Sequence, residues 1–508
     1  MNRLRHRAAA LIAMLVIATI AGATGIQEPG EQEQILRFGL SGNPDTLDPH
    51  ATSGTLTFQT IRSFYDTLVE PNRSGELVPA LAQSWDVSDD NLVWTFTLRD
   101  GVTFHNGDAL NSADVKATFE RLLDPEIASP KANEFASIEA IEAPDAATVV
   151  FRLSEPNAPL LASMASGWGA ILPASLIDSG HDFASEPVGT GPFVFVEWVR
   201  DSRIVMERNE AYWMDGYPRV DGVVVNIIPE SAVQVQALLG GELHAIDSVA
   251  SQELPMLESN PEVYVRTDLS ALVMVLAMNT ARDPMDDLTF RRAVAHAIDR
   301  RAVMDIAYGG GEPVGTFMDV GDPYYVDHTD LYPYDPARAR ESLEASGVEL
   351  DEPLEMALPE IYEPHVRAGE MYQEMLEDVG IDVELRLVDW STWINDVYGG
   401  GNYDFTVIGH TGKLDPDGRL DGYGVPEENY VNWENEEAAR AIAEAKRVVD
   451  VRRRRELYGR ALELMAREIP HVYVGTSYRY VAMRSNVSGF HQDAKLDTFD
   501  FRYVEIGE

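Results

Sequence analysis

Apolar and polar positions recur with two periods along this chain, and the switch between them outlines its elements. Residues 35–40 read as a strand, followed by the turn-rich Ser41-Gly42-Asn43-Pro44-Asp45. Residues 92–98, LVWTFTL, alternate as a half-buried strand does, and Asp100-Gly101 after them signals a tight turn. Beyond Ser112, the apolar residues Val115, Phe119, Leu122 and Leu123 fall on one helical face. Residues 148–153 predict another strand, and 193–198 with 203–207 predict a hairpin. The continuous apolar run 223–228 fits a strand buried on both faces. Residues 231–239 predict a helix stopped by Gly240-Gly241.

After Met278 the pattern shifts toward helix. Residues 287–308 are amphipathic and end at three glycines, and 335–345 begin with Asp-Pro, a cap followed by proline at the first helical position. Further helices are predicted at 366–378, 436–451 and 452–468, with strands at 383–388 and 405–408. The tail returns to strand at 473–481 and 498–504. Without internal repeats or a long linker, this order suits an α/β protein of two lobes.

The first residues follow neither period. Arg3, Arg5 and Arg7 precede an apolar stretch over 8–20, and Ala21-Gly22-Ala23 supplies small residues for cleavage. A helix of that length spans only about 20 Å, too little for a bilayer. A cleaved signal peptide over 1–23 is therefore expected, with a loose N-terminus over 24–34. No cysteine follows the cleavage site, so a free periplasmic protein is expected rather than a lipoprotein.

The absence of cysteine also excludes disulfides, thiolate metal sites and cysteine nucleophiles. The chain carries 84 acidic against 40 basic residues, a net charge of −44, which repels phosphate backbones and argues against nucleic acid as a partner. Only five of the basic residues are lysine: Lys116, Lys131, Lys413, Lys446 and Lys495. The motifs H-E-x-x-H, G-x-x-x-x-G-K-[ST] and G-x-S-x-G do not occur. Gly189-Thr190-Gly191-Pro192 imitates a phosphate loop, but its proline removes an N–H donor, and a tight turn is the better reading. Asp415-Pro416-Asp417-Gly418 with Asp421 hints at calcium. An EF loop would need glycine and glutamate where Leu420 and Pro426 stand. His50, His105, His296 and His410 share no ligand spacing and read as structural. No metal, cofactor or catalytic residue is expected.

Several segments together carry a resemblance. Leu77-Val78-Pro79-Ala80-Leu81-Ala82-Gln83-Ser84-Trp85 is followed by Phe96-Thr97-Leu98-Arg99-Asp100-Gly101-Val102-Thr103-Phe104-His105-Asn106-Gly107. Then come Val188-Gly189-Thr190-Gly191-Pro192-Phe193, Arg208-Asn209 with Tyr212-Trp213, and Phe290-Arg291-Arg292-Ala293-Val294 leading to Ala297-Ile298-Asp299-Arg300. Tyr334-Asp335-Pro336, Gly380-Ile381 and Asp415-Pro416 complete the order. The chain thereby resembles the solute-binding proteins of ABC importers, in the family of dipeptide-, oligopeptide- and nickel-binding proteins (family 5).

The resemblance implies a two-lobed periplasmic-binding-protein fold of type II, in the large peptide-binding subclass. Lobe I would span 35–278, with an extra small subdomain over about 69–187. Lobe II would span 279–477, and 478–508 would return to lobe I, the crossings lying near 277–280 and 474–480. It implies capture of a small peptide or peptide-like solute by hinge closure and delivery to the permease subunits of an importer, by a monomer that is not an enzyme. Within that fold the cargo could instead be an anionic conjugate, an oligosaccharide or a metal chelate. An exported hydrolase and a chemoreceptor accessory remain as alternatives.

Dipeptide binders of this family hold the ligand ammonium with an aspartate shortly before the Asp-Pro pair. That aspartate stands in a Gly-Trp-x-x-Asp-like context; here Gly409 is followed by His410 in the tryptophan place, and Lys413 stands near the aspartate place. A lysine there repels an ammonium and attracts a carboxylate; the alternative is that it faces solvent or pairs with Asp415 or Asp417. If an ammonium site persists, Asp415 and Asp417 are its candidates. Arg367 matches the family's carboxylate-binding arginine. Asn43, Thr46 and Leu47 lie on the first loop, where the family contacts ligand, and Trp168, Trp390 and Trp393 are candidate stacking walls.

Overall fold

The computed structural model describes residues 33–507 apart from 74 and 248. The signal peptide reading and most of the loose N-terminus lie outside the described residues. Among the described residues no helix is long and apolar enough to cross a membrane.

One sheet runs through both lobes. Its strand order is Val383–Val388, Leu354–Pro359, Phe405–His410, Val263–Met278, His471–Arg484, Ala245–Ile246, Ile35–Leu40, Gly222–Ile227, Arg203–Arg208 and Phe193–Val199. The two long antiparallel strands, Val263–Met278 and His471–Arg484, join the halves. Residues 263–269 pair with 478–484 on the lobe I side, while 273–278 lie against Phe405–His410 of lobe II. Between Leu269 and Val273 the register slips. A second slip follows between Met274 and Val275, after which the pairing runs on to Ala277.

Successive side chains of that strand serve opposite cores, as the period of two requires. Val273, Val275 and Ala277 pack toward Glu436–Arg447 and Val451–Glu468. Met274, Leu276 and Met278 pack toward Leu288–Ala297, Arg300–Ala307 and Glu363–Glu377. Lobe I has its own core around Phe38, Val223 and Val225. A separate antiparallel sheet, Ala82–Val87, Val93–Leu98, Thr148–Leu153 and Ile138–Asp145 in that order, carries the small subdomain. Trp94, Phe96 and Leu98 are its buried face, and Ser112–Leu123 covers it with Val115, Phe119 and Leu122. That helix is capped by Asn111, whose side chain accepts the Ala113 N–H while Asp114 accepts the Asn111 N–H.

The amphipathic stretch 287–308 is two helices, because Asp299 breaks the first and accepts the Ala302 N–H to start the second. The predicted final strand is shorter, Thr498–Asp500, since the Asp500 side chain accepts the Arg502 N–H and turns the chain into a single 3₁₀ turn. Gly189-Thr190-Gly191-Pro192 is a bend held by close approach rather than a hydrogen-bonded tight turn. A Cβ on Gly191 would stand 2.4 Å from the Phe64 carbonyl carbon, and the Gly191 N–H donates to Phe64 O. Gly191→Ala is expected to cost about 1–3 kcal/mol through that overlap, read as a lower urea midpoint. An unchanged midpoint would show that Phe64 backbone yields freely.

Candidate functional site

A cleft of about 800 Å³ opens between the lobes, bounded at its base by Ser270, Ala271 and Leu272, where the sheet register slips. On the far rim the small subdomain touches lobe II. The Ala158 N–H donates to Lys446 O at 2.8 Å, and Glu155 pairs with Arg447 at 3.1 Å.

The lobe I wall is built around Trp168. Its indole N–H donates to Thr52 O at 2.8 Å, and its ring meets Phe58 edge-on with centroids 4.6 Å apart. Gly167 makes this possible, because a Cβ there would lie 2.1 Å from the Phe58 ring. Lys131 stands 5.6 Å from the centre of the Trp168 ring and pairs with Glu134 at 2.9 Å.

The lobe II wall is the loop that follows Phe405–His410. Gly412 lets it approach the hinge, since a Cβ there would meet the Ala271 Cβ at 2.4 Å. The Lys413 stem lies against Gly418. Its ammonium makes no hydrogen bond or ion pair among the described residues. Burial, with Lys131 and Arg419 nearby, holds its pKa below the usual lysine range, against the opposing pull of Glu134.

Asp415 and Asp417 also line the cleft; both oxygens of Asp415 are engaged, whereas Asp417 is paired through one oxygen and its Oδ1 is buried without a partner. Arg454 holds Asp415 with two parallel bonds of 2.7 Å. Lys446 stands 3.5 Å from Asp417 and 3.1 Å from Asp421. The same pairings account for the acidic cluster that hinted at calcium. Burial pushes the Asp417 carboxyl up to about 7, with Lys446 acting against it.

His410 points away from the main cleft into a side chamber of about 160 Å³, whose lining includes Tyr398, Lys413, Arg419, Tyr423 and Tyr430. His410 Nε2 lies 2.9 Å from the Tyr430 hydroxyl, which lies 2.9 Å from His471 Nε2. Burial, aided by Arg419 and Lys413, pushes the His410 pKa down to about 3. His50 is also lowered to about 3, by burial and by Arg121. Both sit below the ordinary histidine value near 6.5 in the folded state, so the unfolded chain binds more protons between those limits. Their contribution is intact above pH 6.5 and is lost as pH falls toward 3, by about 1.4 kcal/mol per histidine per unit. The melting temperature is expected to drop steadily from pH 6.5 to 4.5; a flat profile there would contradict neutral burial.

Six predicted contacts lie outside both cavities. Asn43 exchanges hydrogen bonds with Asp201 on an outer loop. Thr46 accepts the Asp48 N–H, and Leu47 is fully buried in lobe I. Arg367 is exposed on Glu363–Glu377 and pairs with Glu363 one turn back. Trp393 is 2% exposed in the lobe II core, donating to Thr406 Oγ1, and Trp390 stacks on its outer side. The sequence reading missed Phe58, Lys131, Arg419 and Lys495. One signal was available: four of the five lysines line the cleft.

Bacterial extracellular solute-binding proteins, family 5 (middle region), match this chain over residues 76–430. The chain belongs to that family. Di/tripeptide-binding protein 1 of Pseudomonas aeruginosa is 30% identical, the match covering 95% of this chain and 96% of the relative. Among solved structures, PBP AgaA of A. tumefaciens R10 in complex with agropinic acid is 28% identical with a TM-score of 0.76, over 93% of this chain and 99% of its own. DppA of Helicobacter pylori in complex with the peptide STSA is 27% identical with the same TM-score, over 94% and 99%. The two-lobed α/β fold of this family 5 protein, expected from its motifs, is thereby shown, and with it the extracytoplasmic solute-binding class.

Proposed function

We propose that this family 5 protein captures a small peptide or peptide-like solute and hands it to the permease of an ABC importer. The observation that carries the reading is a cleft with a wall from each lobe, whose base lies on two antiparallel strands that connect those lobes. Rotation about such a connection brings the walls together and removes water from the solute. The relatives support a peptide-sized cargo by name, and the agropinic acid complex supports a small organic acid. Export by residues 1–23, a life free in the periplasm and a monomeric state complete the proposal. Release of the solute unchanged distinguishes such a receptor from a hydrolase.

A thermal-shift screen tests this, using di- and tripeptides, N-blocked and anionic amino-acid conjugates, oligosaccharides and metal chelates. A solute at 100 times its dissociation constant adds about 2.7 kcal/mol to the folded state. Stabilisation by peptides or conjugates, with the compound recovered intact by mass spectrometry, is expected. Turnover, or stabilisation only by oligosaccharides or chelates, would overturn the proposal.

A further inference from the structure

We infer that the lobe II wall holds an anion subsite at Lys413, so that the solute places a carboxylate, not a free ammonium, at the mouth of the side chamber. This rests on the capture reading above. The first ground is the pairing of the cleft lysines. Lys131 has Glu134, Lys446 has Asp417 and Asp421, and Lys495 has Asp319 and Asp322. Lys413 has no ion-pair partner among the described residues, in a chain with 84 carboxylates to choose from.

The second ground is Arg419, which also lines the side chamber and is 8% exposed. Its guanidinium donates only to main-chain carbonyls, those of Phe317, Ala271, His410 and Thr411 at 2.7–3.2 Å. Its Nε is buried without a partner. Arg419 therefore fixes the loop that carries Lys413 and adds a second cation with no carboxylate bound to it. The acidic groups nearby are otherwise placed. Glu134 is held by Lys131 and Ser163, Asp421 by Lys446, and Glu428 is exposed at the rim.

Lys413 is half-buried, its ammonium still reached by solvent; closure of the cleft would remove that water at a cost unless the solute brings the counter-charge. An ammonium in the same place would meet Lys413, with Lys131 and Arg419 behind it. A carboxylate gains a charge-assisted bond instead. The chemistry is met equally by a peptide C-terminus or by a dicarboxylic acyl group on a blocked amine.

Four probes of one backbone separate these cases by calorimetry: N-acetyl-dialanine, N-succinyl-dialanine amide, dialanine amide and N-acetyl-dialanine amide. Binding is expected for one or both of the first two, telling C-terminal from acyl carboxylate, and should weaken roughly 30-fold or more in Lys413→Met. Lys413→Arg should retain most of it. Preference for dialanine amide or the neutral probe, or equal binding by Lys413→Met, would overturn the subsite. So would a wider screen in which only uncharged or cationic compounds bind. A wider screen without any ligand would instead overturn the capture reading. A second readout needs no ligand: Lys413→Met should melt higher than the parent protein, because an unpaired cation has been removed, and an unchanged or lower melting point would contradict it.

Discussion

Arg502→Ala is expected to destabilise the protein by about 3–5 kcal/mol at neutral pH, and by less as the pH is lowered. Arg502 is 3% exposed and bonds Asp500 at 2.5 Å and Glu70 at 2.9 Å. It also donates to the Tyr212 hydroxyl, which reaches Asp66, itself bonded by Thr190 and Trp213. The chain's return to lobe I is thus tied to the segments 62–70, 190 and 212–213. Burial alone would raise the Asp500 pKa, but Arg502 and Arg62 outweigh it and hold it at about 2. With its folded pKa below the unfolded one, Asp500 contributes stability above about pH 4, lost as pH falls toward 2. Without Arg502 only burial and Arg62 remain, and both carboxyls gain from protonation. The gap between variant and parent should therefore narrow between pH 7 and 4.5, measured as urea midpoints at each pH. A gap of constant size would show that the two carboxylates find other partners.

The parts of the fold legible in the sequence were those with a local physical cause. The alternation in 92–98, the Asp335-Pro336 start and the Gly240-Gly241 stop each reappear where the pattern placed them. Leu354–Pro359 went unread, because a short apolar run buried between neighbouring strands has no polar face to betray its period. The break at Asp299 was hidden because apolar spacing continues across it; only the side chain's capping bond ends one helix and starts the next.

The site was legible in a different way. Lys413 stood out through composition and through its place in the motif order, and the loop does face the cleft. Arg367 and the two tryptophans of 390–393 had equally good positions along the chain, yet a helix offers several faces, and theirs point to solvent or core. Position along the chain fixes neither a helical face nor, for Asn43, Thr46 and Leu47, which way a loop residue turns. Lys131 could not be paired with Lys413 from sequence, since hundreds of residues separate them, and Arg419, only six residues on, carries no sequence signal that it turns back onto the His410 and Thr411 carbonyls.

Arg454→Met is expected to cost about 3–5 kcal/mol as well, because it strands the Asp415 carboxylate with 12% of its side chain exposed. Arg454 is positioned by the Ala445 carbonyl and by the hydroxyls of Tyr324 and Tyr458. Asp415 also accepts the Asp417 N–H, which sets the turn behind Lys413. Asp415 is consequently a support of the loop, its lone pairs committed before any solute arrives. Asp415→Leu combined with Arg454→Met, which removes both charges, should recover much of the stability lost in Arg454→Met alone, and a double-mutant cycle in denaturant measures the coupling. The cycle also separates support from ligand contact: if the double variant regains stability and still prefers anionic probes, Asp415 acts only through the loop. If instead it regains stability and begins to bind a free ammonium less tightly than the parent protein does, Asp415 belongs to the solute, and the Lys413 subsite loses its ground.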